Sequence, residues 1–105
     1  MVEGPDRPLE GPVGVAIQFL FLRPKSHYRT GKNAHLLRAG APDRPTTRSV
    51  GDIDKLARAV LDGISITSGG RILQDDSSVV WLYSQKDWAQ DDEGPGAYVR
   101  VVNIG

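Results

Sequence analysis

A chain of 105 residues with 39% apolar content suits one domain with a modest core, burying about 65% of the surface its unfolded form exposes. Cysteine is absent, which excludes disulfides and thiolate metal sites, and no apolar run nears the roughly 18 residues of a membrane helix. These features predict a soluble, cytoplasmic protein with no membrane partner.

The formal net charge is zero, yet the charges are segregated. Arg23 to Val50 holds seven Lys or Arg against Asp43 alone, a net +6, while Gly51 to Glu93 holds nine acids against four bases, a net −5. A basic arm beside an acidic site is the arrangement expected when the arm meets phosphates and the acids hold a cation. A solvated polar loop is the plainer alternative.

Residues 1–11 contain Gly and Pro punctuation and little to bury, so they read as a flexible amino-terminal segment ahead of a domain over 12–105. In Val13 to Leu22 the alternate positions Val13, Val15, Ile17, Phe19 and Phe21 are bulky and β-prone, which predicts a strand covered on both faces towards its end. Arg23-Pro24 stops it, and residues 23–50 form a long basic loop, a length usually reserved for function or disorder. Ile53, Leu56, Ala57, Val60, Leu61 and Ile64 lie on one helical face, Asp52 or Asp54 can cap the start, and Gly63 marks the end. Residues 65–74 include Gly69-Gly70 and predict a flexible turn. Further strands are expected over Ser78 to Lys86 and Ala97 to Ile104, joined by a turn-rich segment through Gly94, Pro95 and Gly96. The result is an α+β fold: a small mixed or antiparallel sheet of three or more strands with one principal helix.

Two acidic pairs stand out, Asp52-x-Asp54 and Asp75-Asp76. Mg²⁺ favours one or two carboxylates and leaves its other positions to water and phosphate oxygen. Each pair alone also reads as a helix cap or a turn. The expectation that joins them is that the chain, returning after the helix, enters the next strand near the helix amino terminus. Arg58 would then place a fixed positive charge at the same spot, its plainer role being an ion pair with Asp54 or Asp62. His27 and His35 lack partners at metal-ligand spacing and read as loop residues, His27 with an option on phosphate. Trp81 and Tyr83 read as core, and Trp88, beside a polar turn, as a rim or interface contact. No nucleophile elbow, Walker loop or dinucleotide glycine pattern is present.

The run Val50-Gly-Asp-Ile-Asp-Lys-Leu-Ala-Arg-Ala-Val-Leu-Asp62, then Asp75-Asp-Ser-Ser-Val-Val80, then Lys86, with Arg23-Pro-Lys-Ser-His-Tyr28 after the first strand, resembles the RusA-like Holliday junction resolvases over roughly Pro12 to Ile104. The resemblance implies a homodimeric, Mg²⁺-dependent endodeoxyribonuclease that nicks two opposed strands of a four-way DNA junction. It implies Asp52, Asp54 and Asp76 as metal-binding catalytic carboxylates and Arg58 as the catalytic basic residue that stabilises the phosphate charge, where many members have lysine. With the basic arm it points to Arg23, Lys25, His27, Arg29, Lys32 and Lys86 as DNA contacts. The chain departs from the family at Lys55 (usually Asn) and Gly51 (often Pro), has a longer connection from helix to strand, and reads as amino-terminally shortened. Two other readings follow: an inactive relative that binds branched DNA through the basic loop, and a cation-binding structural domain with no DNA partner.

Overall fold

Strand β1 (Val13–Phe21) is the central strand of a three-stranded mixed sheet. In the computed structural model, which describes residues 8–46, 51–65, 72–73, 75–90 and 92–105 and only the backbone of Asp76, β2 (Val79–Trp88) pairs with β1 in parallel and β3 (Gly96–Asn103) pairs with it antiparallel. Helix α1 (Ile53–Ile64) supplies the crossover that a parallel pair requires. The α+β reading therefore holds, with the sheet mixed. The turn-rich segment before Gly96 does not close a hairpin, because β2 and β3 lie on opposite sides of β1.

Alternation along β1 divides the sheet into two unlike faces. Val13, Val15, Ile17 and Phe19 are buried with Ala57 and Ile64 of α1 and with Ile72 and Leu73, while Val99, Val101 and Ala97 of β3 pack around them. Leu9 joins this cluster, its amide donating to Ile72 O at 2.7 Å. The predicted helix forms and runs through Gly63 to Ile64, one residue past the expected end, because Ile64 belongs to its buried apolar face.

The opposite face carries Gly14, Ala16, Gln18 and Leu20 of β1, in register with Trp81, Tyr83, Gln85 and Asp87 of β2 and with Val102, Arg100, Tyr98 and Gly96 of β3. The basic arm covers its far end, where Leu20 is 3% exposed and Arg44 pairs with Asp87; among the described residues no helix or strand covers the remainder. Two sequence expectations reverse here. Trp81 and Tyr83, read as core, are 44% and 58% exposed, and Trp88, read as a rim residue, is 5% exposed. Register decides this: Trp88 pairs with Phe21 on the helix side, and Trp81 and Tyr83 pair with Gly14 and Ala16 on the open side.

The basic loop is internally folded. It makes 3-10 turns over Lys25–His27 and Gly31–Asn33, and an antiparallel bridge joins Tyr28 and Leu37. The expected turn at Gly69-Gly70 lies outside the described residues.

A one-sided core makes a direct prediction. Leu73→Ala, at a fully buried site, is expected to cost about 2–5 kcal/mol in denaturant unfolding, whereas Tyr83→Ala should change stability by no more than about 0.5 kcal/mol. Equal losses would mean that the open face is packed in solution.

Candidate active site

Lys86 joins the end of the sheet to the start of α1. It lies on the helix side of β2, opposite Phe19, and its ammonium donates to Gly51 O at 3.0 Å. Gly51 adopts φ +83°, a left-handed conformation that costs glycine little, and it turns the chain into Asp52. Asp52 holds the N-cap position, with Leu56 N donating to its carbonyl at 3.0 Å, but its carboxylate makes no capping hydrogen bond. Asp54 Oδ1 accepts from the Lys55 amide at 2.9 Å. Both acids are exposed, and the amino end of the helix dipole favours negative charge there. Arg58, also exposed, follows Asp54 by one turn on the same helix.

The structure does not return the chain to this end of α1, as the sequence led us to expect. The amides of Ile72 and Leu73 both donate to Ile64 O at 2.9 Å, so the return is anchored at the helix carboxyl end, about 18 Å from its start for 12 residues at 1.5 Å each. Asp76 opens the 3-10 turn Asp76–Ser78 that leads into β2. The reason is general: a crossover helix runs back along the strands it connects, so the following strand starts where the helix finishes. Asp52, Asp54 and Lys86 thus share one end of α1, and the segment carrying Asp75 and Asp76 is tied to the other. Among the described residues no three potential ligands of the His, Asp or Glu type form a cluster. Asp75 sits in a turn, accepting from Ser77 Oγ at 2.7 Å and, through its carbonyl, from Ser78 Oγ at 2.7 Å.

The basic arm is attached to the sheet through Trp88. Trp88 Nε1 and Arg23 Nη1 both donate to Pro42 O, at 3.0 and 2.8 Å. The Arg23 guanidinium stands 5.0 Å from the Trp88 ring centroid, and His27 meets the same ring edge-on at 5.2 Å. Arg23 and His27, expected at a phosphate, therefore occupy the base of the arm as packing partners of an indole. Lys25, Arg29 and Lys32 remain exposed, and the cleft between arm and sheet, about 700 Å³, is lined by Arg23, His35, Arg44, Asp87 and Trp88 among others.

A second attachment was not apparent in the sequence. Asp87 forms an ion pair with Arg44 and accepts from Gln85 and from Gln18, the latter at 3.2 Å. Partial burial pushes the Asp87 carboxyl up, but the amide hydrogen bonds from Gln85 and Gln18 and the Arg44 charge outweigh it and hold the group below its ordinary value. Arg44 and Asp87 are 43 residues apart, so no local pattern links them.

The family model described as endodeoxyribonuclease RusA matches residues 1–102. No curated protein and no solved structure matches the chain.

The Asp87 attachment has a testable sign. Its folded-state value is depressed, so the interaction stabilises the fold above the ordinary carboxylate range and is lost as pH falls through the folded value. Arg44→Ala should raise the Asp87 value in a carboxyl-carbon NMR titration, and an unmoved titration would show that the amides alone set it.

Proposed function

The chain belongs to the RusA endodeoxyribonuclease family, and from that premise we propose that it is a Mg²⁺-dependent endonuclease that resolves four-way DNA junctions by paired nicks. The observation that carries this reading is the Asp52-x-Asp54 pair, exposed at the amino end of α1 with no capping bond to the Asp52 carboxylate, within a chain matched almost throughout. Two hard oxygen donors on a rigid helix start fit a cation that takes one or two carboxylates and keeps the rest of its shell for water and phosphate.

In this reading Asp52 and Asp54 hold the cation; the family resemblance adds Asp76, whose segment is tied to the far end of α1 and would have to be carried to the pair for it to serve as a third ligand. Bound there, Mg²⁺ would neutralise phosphate charge and lower the pKa of a water. Lys86 steadies the Gly51 turn that aims Asp52. Arg58 presents a delocalised positive charge to the phosphate oxygens as charge develops. Lys25, Arg29 and Lys32 contact the backbone of the junction arms, and Arg23 and His27 hold the basic arm against Trp88. A homodimer supplies the second site that opposed nicks need.

Asp52→Asn and Asp54→Asn should each lower junction cleavage by about 100-fold or more while junction binding survives, the scale of losing one electrostatic catalytic group. Asp76→Asn tests that third ligand: the same loss, with a much smaller one for Asp75→Asn, would place Asp76 at the cation. Full cleavage by the Asp76 variant would reduce the centre to two acids. Binding without cleavage by the unaltered chain in Mg²⁺ would leave a branched-DNA binder in place of a nuclease.

The arm generates a separate expectation. Lys25→Ala with Arg29→Ala should flatten the salt dependence of junction binding by about 0.9 logarithmic unit per lost phosphate contact, read by gel shift across a salt series. An unchanged slope would return the arm to solvent.

A further inference from the structure

We propose that the open face of the sheet is a stacking platform for the unpaired bases of a DNA strand, a reading that rests on DNA being the substrate and goes beyond the cleavage site. Along the middle of this face β1 presents only Gly14 and Ala16 before Gln18, and aromatic rings stand on both flanks: Trp81 and Tyr83 from β2, and Tyr98, 40% exposed, from β3. Trp81 lies across the central strand, since a Cβ added to Gly14 would come within 2.0 Å of its Cε2. The indole thereby rests against the Gly14 backbone while remaining 44% exposed. The trough between the flanks holds about 640 Å³ and is lined by Ala16, Gln18, Tyr83, Gln85, Tyr98 and Arg100.

Small residues under a trough and rings beside it suit flat ligands. Flanking strands in a three-stranded sheet stand about 10 Å apart, which admits one strand with its bases on the rings. Stacking on aromatic side chains tolerates any base, because every base has a π-face. The charges agree. Among the described residues the one ionic group lining the trough is Arg100, and the Asp87 carboxylate at its end is paired with Arg44. At Gln18 and Gln85 the trough opens onto the cleft beneath the arm, which is lined by Arg23 and Arg44 together with Asp43, Asp87 and Glu93, so the phosphate partner on this face is Arg100.

A second copy of the chain is a poorer occupant. Face-to-face sheets bury interdigitating apolar side chains, but this face would bury Arg100, Gln18 and the Gln85–Asp87 pair and would leave a gap over Ala16. A buried guanidinium without a partner carries a large desolvation cost. A nucleotide brings the missing partner, a phosphate for Arg100.

The test uses the full chain, a fluorescein-labelled 12-nucleotide oligo(dT) and the matching duplex, followed by anisotropy and by tryptophan emission. Trp88 is buried, so quenching by the oligonucleotide reports on Trp81. Binding is expected to favour the single strand and to quench emission. Tyr83→Ala and Tyr98→Ala should each weaken oligo(dT) binding by about 5- to 100-fold. Tyr83→Phe should bind nearly as the unaltered chain, because the ring stacks while the hydroxyl is engaged with Gln85 Oε1 at 2.6 Å. Unchanged oligonucleotide affinity in both alanine variants, with their folding verified by circular dichroism, would overturn the proposal. So would a dimer in sedimentation that Tyr83→Ala dissociates, which would assign the face to a second copy. The nuclease reading is checked independently, since Asp52→Asn should abolish cleavage and leave oligo(dT) binding unchanged.

Discussion

Every strand of the sheet depends on one strand. Both β2 and β3 find their hydrogen-bonding partner in β1, so the sheet has no alternative ladder if β1 slips. A slip of one residue would carry Val13, Val15, Ile17 and Phe19 to the open side and place Gly14, Ala16 and Gln18 against α1. The contrast between these two sets makes the register firm, and it also makes the two faces chemically different. The helix side becomes the core. The other side, with glycine and alanine at its centre, offers too little volume to form a second core and is left available for a ligand.

Trp88 is where the sheet and the basic arm meet. Its indole fills the helix-side end of β2, its N–H holds Pro42, and its ring packs with Arg23 and His27. Ordering the arm in this way would lower the entropy lost in the phosphate contacts proposed for Lys25, Arg29 and Lys32. On the other side of the same strand Asp87 draws in Arg44. Two contacts from adjacent residues of β2 thus hold one long loop from opposite faces, which is why a segment with few apolar residues has a defined path.

The acidic residues follow the same logic of ends and faces. The helix start gathers Asp52, Asp54 and Lys86 because a left-handed glycine and a lysine from the sheet fix it there. The Asp75-Asp76 pair follows the chain back to the other end of α1, whose Ile64 carbonyl accepts from the amides of Ile72 and Leu73. Helix direction, more than acid spacing, governs which carboxylates stand together.

Local periodicity made α1 and the three strands legible in the sequence, to within two residues at their ends. Val13 to Phe21 alternates with period two, and Ile53 to Ile64 repeats its apolar positions at helical spacing, so each pattern specifies its own element without help from the rest of the chain. The family motif around Asp52 was equally local. What the sequence left open was which faces and ends would meet. Trp81 and Trp88 sit on one strand seven residues apart, an odd interval, so one must face in and the other out. Both carry the same hydrophobic signal, and only pairing with β1, more than sixty residues earlier, decided that Trp88 is buried and Trp81 exposed. The Arg44–Asp87 attachment and the separation of Asp52 from the Asp75 turn have the same origin: they depend on contacts between segments distant in the chain, which no local spacing encodes.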